Sequence, residues 1–243
     1  MAQVIMIASG KGGTGKSTVA SFLALELALK GHKTFLTELD LGLRSIDVIS
    51  GVSDKVVYDI GDVMECTCTV DKAVINSPHS DNLHIMSAPS RKDDVDYSNL
   101  KKLLDNLYDE YDYIIIDTPA GLGAPFEAAI KCANLAIIVA TADAVSVRDA
   151  RIVSDEIYNK SLKNIRLIIN KFDKNTFKYS GFNDMDQVID ICCAQLLGVI
   201  PYNSDIQVAA MDGKSLDKDC LSKKIFSSIA DRIQGVHTPI NIK

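Results

Sequence analysis

The chain has 243 residues, six cysteines, no tryptophan and a formal net charge of −6. With 47% apolar and 24% charged residues, it has the balance of an ordinary folded domain, which excludes collagen-like, mucin-like and linker-dominated chains. The acidic balance argues against coating nucleic acid, which needs a dense Lys/Arg surface. No apolar stretch reaches the roughly 18 residues of a membrane-spanning helix. The apolar start, Val4–Ala8, has neither a basic leader nor a cleavage pattern, so a cytosolic setting with reduced thiols is expected.

Short apolar runs alternate with longer amphipathic stretches. Val4–Ala8 reads as a strand buried on both faces. Thr18–Lys30 has helical spacing, with Phe22, Leu25 and Leu29 on one stripe and Gly31 after its end. Lys33–Leu39 and His84–Ser87 read as strands, Leu100–Tyr108 as a helix, and Tyr113–Ile116 as a strand that stops at Asp117. Leu135–Ala140 is a strand, Val145–Asn159 a helix, and Ile165–Ile169 and Gly198–Ile200 are further strands. The last helix is Leu221–Ile233, with Leu221, Ile225, Ile229 and Ile233 on one face. This alternation predicts an α/β fold: a doubly wound, mostly parallel sheet with helices on both faces and its ligand site at the carboxyl ends of the strands. Residues 1–234 are expected to form one domain and residues 235–243 a short tail.

The strongest motif is Gly10-Lys11-Gly12-Gly13-Thr14-Gly15-Lys16-Ser17-Thr18, which fits G-x-x-x-x-G-K-[ST]. Its glycines let consecutive N–H groups ring a phosphate, and the following helix aims its positive end at the same anion. Lys16 is expected on the β- and γ-phosphates and the Ser17 hydroxyl on Mg²⁺. The strand that ends at Asp117 places a carboxylate beside that ion, through a water. Thr118-Pro119-Ala120-Gly121 follows as a segment able to switch with hydrolysis. Glu38 and Asp40 leave the second strand on one face. Asp40 is assigned the attacking water, and Glu38 the second shell of Mg²⁺. Asn170, at a strand end, offers one donor and one acceptor to a base edge.

Lys11-Gly-Gly-Thr-Gly-Lys16-Ser17-Thr18 resembles the deviant phosphate loop of the MinD/ParA family. In that family the first lysine crosses a dimer interface to the partner's nucleotide, which is the role the resemblance implies for Lys11. Asp40-Leu41-Gly42-Leu43-Arg44-Ser45-Ile46-Asp47 and Val56-Val57-Tyr58-Asp59 are similar to the MinD branch. So are Asp117-Thr118-Pro119-Ala120-Gly121, Ser146-Val147-Arg148-Asp149 and Leu197-Gly198-Val199-Ile200-Pro201. The resemblance runs from about Val4 to Ile233. It implies a P-loop ATPase fold, ATP and Mg²⁺ as cofactors, an ATP-dependent homodimer, and slow turnover without a partner. It adds Pro201 as a nucleotide contact, and it makes the helix bearing Arg148 and Arg151 a surface for MinC- or MinE-like partners. It implies a cytoplasmic protein that can sit peripherally at the inner face of the cell membrane.

The chain departs from the family in three places, one of them the unusual Gly-Leu-Gly-Ala-Pro run with Gly123 and Pro125 after the switch segment. Glu38 stands where the family usually has Asp. The last helix is followed by Gly-Val-His-Thr-Pro-Ile-Asn-Ile-Lys rather than by an amphipathic membrane helix. Pro239 opposes a helix there, and Lys243 is the only fixed side-chain cation. The leading function is thus a MinD-like regulator of division-site placement. A related ATPase that positions a plasmid, chromosome or flagellum is the alternative within the family. A metallocentre-maturation ATPase using Cys66 and Cys68 is the alternative of another class; one C-x-C supplies only two ligands.

Overall fold

The computed structural model describes residues 1–42, 44–90 and 95–240. Leu43 of the MinD-like run and Lys243 of the tail lie outside the described residues. The elements in order are β1 (Gln3–Ala8), α1 (Lys16–Leu29), β2 (Thr34–Glu38), α2 (Ser45–Ile49), α3 (Ile60–Met64), α4 (Val70–Ala73), β3 (Ile75–Asn76) and β4 (Leu83–Met86). Then come α5 (Leu100–Asp105), β5 (Tyr113–Asp117), α6 (Ala124–Cys132), β6 (Leu135–Ala140), α7 (Ala144–Asn159) and β7 (Ile165–Phe172). The chain continues through α8 (Lys174–Phe177), α9 (Met185–Cys192), β8 (Gln195–Pro201), α10 (Ser204–Asp212) and α11 (Leu221–Ile233).

The strands form one sheet in the order β3-β4-β2-β5-β1-β6-β7-β8, parallel except for the short antiparallel β3. The expected doubly wound architecture is the observed one. Central β1 alternates its side chains between two cores. Val4, Met6 and Ala8 join the face covered by α3, α5, α6, α7 and α9, while Ile5 and Ile7 join the face covered by α1, α2, α10 and α11. Every β1 residue from Val4 to Ala8 is fully buried, which is why the run reads as continuously apolar.

Three differences from the sequence expectation have physical causes. α1 is buried nearly all round rather than on one stripe, because α11 covers its outer side and the Phe226 ring packs at a tilt against Phe22, centroids 5.4 Å apart. The strand read as ending at Ile169 continues to Phe172 through a register break. Helices α6 and α10 were not expected. The Gly121-Leu-Gly-Ala-Pro run leads into α6, and its proline occupies the helix's first turn, where its missing N–H costs nothing. No helix among the described residues is long and apolar enough to cross a membrane. Residues 236–240 form non-helical chain held by Arg232, which donates to the carbonyls of Leu197, Thr238 and Pro239 at 2.8–2.9 Å.

Candidate functional site

The chain folds its phosphate loop between β1 and α1, where the strand connections change direction, with β5 on one side of β1 and β6 on the other. Helix α1 begins at Lys16, inside the motif, so the positive end of the helix opens directly onto the loop. Gly15 caps it at φ 86°. A Cβ there would drive into the Asn170 amide, so both conformation and space demand glycine. Gly10 packs on α7, and a Cβ on it would lie 2.6 Å from Cβ of Asp149. The loop therefore bears directly on the helix that carries Arg148 and Arg151.

Two strand ends bring the carboxylates together. In the β2–β5 register Glu38 pairs with Asp117. Asp117 is fully buried, and its Oδ1 accepts from Nζ of Lys16 at 3.1 Å. Its Oδ2 is buried with no hydrogen-bond partner. Burial pushes the Asp117 carboxyl up, against the pull of the Lys16 ammonium and the neighbouring Ser17 hydroxyl. A buried carboxylate with one orphaned oxygen beside a serine hydroxyl fits a hydrated Mg²⁺. Asp40 follows β2 at the mouth of the site. Burial raises its pKa and Lys16 lowers it. Tyr97, from the opposite side, donates to the Leu39 carbonyl at 3.1 Å.

Glu38 has a further task that the sequence reading missed. Its carboxylate accepts from the backbone N–H of Ser45 at 3.2 Å and of Ile46 at 3.0 Å, so it closes the amino end of α2. The extra methylene of Glu over Asp supplies reach toward those amides. Burial, offset in part by the Ile46 amide and reinforced by Asp117, pushes its pKa up to about 7. A carboxyl raised in the fold binds its proton more tightly there than in the unfolded chain. Its stabilising contribution is therefore complete below about pH 4.5 and is lost as pH rises through about 7. The nucleotide-free protein should lose about 3 kcal/mol of stability from this group across that window. Urea melts of wild type and Glu38→Gln against pH check this, and equal slopes would refute it.

Lys11 leans away from the loop. Its Nζ lies 3.2 Å from both carboxylate oxygens of Asp143, which caps α7 through the Ser146 amide and accepts from the Thr141 hydroxyl. Burial opposes the ionised Asp143, but Thr141, Ser146 and Lys11 outweigh it and hold the carboxyl below its usual range. Further along α7, the Arg148 side chain is 70% exposed and Arg151 pairs with Asp155 at 2.7 Å. Asp143 was not singled out from the sequence; its signal is a capping residue just before an amphipathic run.

Beside the loop lies a cavity of about 290 Å³. Asn170, Lys171 and Pro201 line it with Tyr202, Ile206 and Met211. The last three come from β8–α10, where Asn203 caps a helix that sequence periodicity left unread. Asn170 is buried and donates through Nδ2 to the Thr14 carbonyl at 2.8 Å. Gly10–Thr18, Glu38, Asp40 and Asp117 thus meet at one end of the sheet, with Asn170 and Pro201 in the adjoining cavity. Cys66 and Cys68 follow α3, and among the described residues no three His, Cys, Asp or Glu are grouped to hold a metal. Cys192 is core, whereas Cys193 is exposed at the end of α9.

The ParA family model, described as NUBPL iron-transfer P-loop NTPase, matches residues 1–234. The septum site-determining protein MinD of Helicobacter pylori is 37% identical, covering 97% of this chain and 91% of that protein. The MinC:MinD cell division protein complex of Aquifex aeolicus matches at TM-score 0.91 and 30% identity, over 99% of both chains. MinD of Pyrococcus horikoshii complexed with Mg-ADP matches at TM-score 0.86 and 25% identity, over 96% of both. A phosphate loop at the sheet's switch point, an orphaned strand-end carboxylate beside its serine, and full-length similarity to MinD place this chain in the ParA family of P-loop NTPases, as a MinD-type ATPase.

Proposed function

We propose that this chain is an ATP-driven switch that regulates division-site placement, with residues 1–234 as the ATPase domain and 235–243 as a short tail, working in the cytoplasm. The observation that carries the reading is the pair of lysines on one loop. Lys16 faces inward onto Asp117, and Lys11 faces outward onto α7. On this reading one lysine serves the chain's own nucleotide and the other serves a neighbour's.

The loop amides from Gly10 to Thr18 take the phosphates of ATP, and Lys16 moves from Asp117 to their β- and γ-oxygens. Ser17, and Asp117 through a water, would hold Mg²⁺, with Glu38 behind them. When bound, that ion neutralises phosphate charge and fixes the oxygens for in-line displacement. Asp40 orients the attacking water from the mouth of the site. Asn170 and Pro201 take the adenine in the adjoining cavity. Lys11 leaves Asp143 for the partner subunit's nucleotide, so ATP binding favours the dimer and hydrolysis releases it. Gly10 and Asp143 both bear on the first turns of α7. The exchange of Lys11 therefore reaches the face of Arg148 and Arg151, where a MinC- or MinE-like partner docks and accelerates an otherwise slow turnover. Similarity to the Aquifex aeolicus MinC:MinD complex supports that partner class.

Lys11→Ala tests the switch. The Lys11–Asp143 pair is partly exposed on both sides, so its loss should cost less than about 1 kcal/mol. The variant should fold and bind ATP but remain monomeric by light scattering with ATP, where wild type doubles its mass. A wild type that stays monomeric in ATP would refute the ATP-dependent dimer.

A further inference from the structure

Helix α11 does not spend all of its apolar face on the core. Phe226 and Ile229 are buried there. Leu221 and Ile225 instead line a cavity of about 300 Å³ beside β8, the last strand of the sheet. Val199 and Pro201 of β8 form a second wall, and Pro239 and Ile240 of the chain after α11 form a third. Arg232, which also lines the cavity, braces the three segments. It donates to the Leu197 carbonyl of β8 and to the carbonyls of Thr238 and Pro239. A guanidinium carries more N–H groups than these bonds use.

The remaining polar lining has one sign. Lys224 is exposed at the cavity, and its ammonium has no ion-pair partner among the described residues. No Asp or Glu is among the described lining residues, in a chain whose net charge is −6. Apolar walls favour a hydrocarbon body. A wholly neutral occupant would strip water from the cations without replacing it. A ligand with one anionic end meets both demands. The volume lies at the small end of ligand sites, which suits a single short chain or ring rather than a two-chain lipid. Pro201 also lines the base cavity beside the phosphate loop, so the two cavities share a wall.

We propose that this cavity binds a small organic monoanion with an apolar body, a short-chain or aromatic carboxylate, and acts through Pro201 as an effector site for the nucleotide. The apolar body lies among Val199, Leu221, Ile225 and Ile240, and the carboxylate meets Lys224 and the spare N–H groups of Arg232. An occupied cavity holds Pro201 in place, so the base meets a wall already ordered. By linkage, each ligand then raises the other's affinity by the same factor. The effector role rests on the nucleotide-site reading above; the site itself does not.

The test uses the full chain with octanoate, and octanol as its uncharged match, in NMR titrations with melting temperatures recorded in parallel. Octanoate should bind at one site, and more tightly than octanol. Lys224→Gln should weaken octanoate about 3- to 10-fold, the scale of a partly exposed charged contact, and leave octanol unchanged. Lys224→Arg should restore octanoate to within about twofold. Ser228 lines the same cavity, and its hydroxyl donates within its own helix, to the Lys224 carbonyl at 2.9 Å. Ser228→Phe should fill the space and abolish binding of both ligands; should that variant fail to fold, the exposed Lys224 carries the test. Saturating octanoate should tighten ATP binding about fivefold, and ATP should tighten octanoate equally. Octanoate that does not bind, that binds no more tightly than octanol, or that is unaffected by Lys224→Gln would overturn the site. So would binding that appears only when residues 241–243 are removed, because the chain's own end would then be the occupant. Octanoate binding with ATP affinity unchanged would overturn the effector role. Octanoate binding by a wild type that takes no ATP would instead overturn the nucleotide-site reading, and the effector role with it.

Discussion

Replacing Lys16 by glutamine is expected to lower ATP turnover by about 100-fold or more, the scale for removing one preorganised charge from a phosphoryl-transfer site. The side chain is 9% exposed and already sits among the groups that would surround the phosphates. The substitution carries a second consequence in the nucleotide-free protein. Lys16 is the ion-pair partner of Asp117, which has no exposed surface. Stranding a buried charge costs about 3–5 kcal/mol unless it neutralises. Burial already pushes Asp117 up, and without the ammonium it rises further. A carboxyl raised in the fold loses stability as pH rises, so Lys16→Gln should be least stable relative to wild type at about pH 8 and least affected at about pH 5. Adding Asp117→Asn should restore stability without restoring turnover. Thermal melts at both pH values and a phosphate-release assay read the two effects separately. Equal destabilisation at both pH values would show that the Lys16–Asp117 pair is not what the substitution breaks.

Asp40→Ala is expected to slow hydrolysis by about 100-fold while leaving ATP affinity near that of wild type. Asp40 lies at the mouth of the site, within electrostatic range of Lys16 and Asp117. It is only half-buried, so its loss should barely change folding. With turnover stopped and binding intact, the population should collect as the ATP-bound dimer, and light scattering should show a dimer that persists for as long as ATP remains. Single-turnover kinetics distinguish slow chemistry from slow release of product. A variant that hydrolyses ATP at the wild-type rate removes Asp40 from the reaction.

Glu38 and Asp40 show where reading from sequence reaches its limit. Alternation along β2 places both carboxylates on one side, and both do lie at the end of the strand that faces Asp117. Nothing local to residues 38–40 reveals that Glu38 is engaged by the amides of Ser45 and Ile46, because that contact depends on where the fold places the start of α2. Asn170 is similar. Its position near the end of β7, in the register break, makes it a candidate base contact, but its bond to the Thr14 carbonyl joins residues 156 apart in the chain. Helix α1 makes the same point for packing. Its apolar residues suggest one stripe, but α11 arrives from the other end of the chain to bury the second face, and Lys223 of α11 pairs with Glu26.

What the sequence determines by itself is whatever short-range physics dictates. The glycine-rich loop, the strand that ends at Asp117, the alternation of buried strands with helices, and thus the sheet and its switch-point site all follow from spacing, burial periodicity and the conformational freedom of glycine. The tertiary structure decides the partners of charged and polar groups. Lys16 rests on Asp117, Lys11 on Asp143, Glu38 on α2 and Lys171 on Gly13. Each pair joins elements that only the folded sheet brings together. A side chain's charge is written in the sequence, but the energy of that charge depends on burial and on the atom it faces, and both are properties of the packed chain.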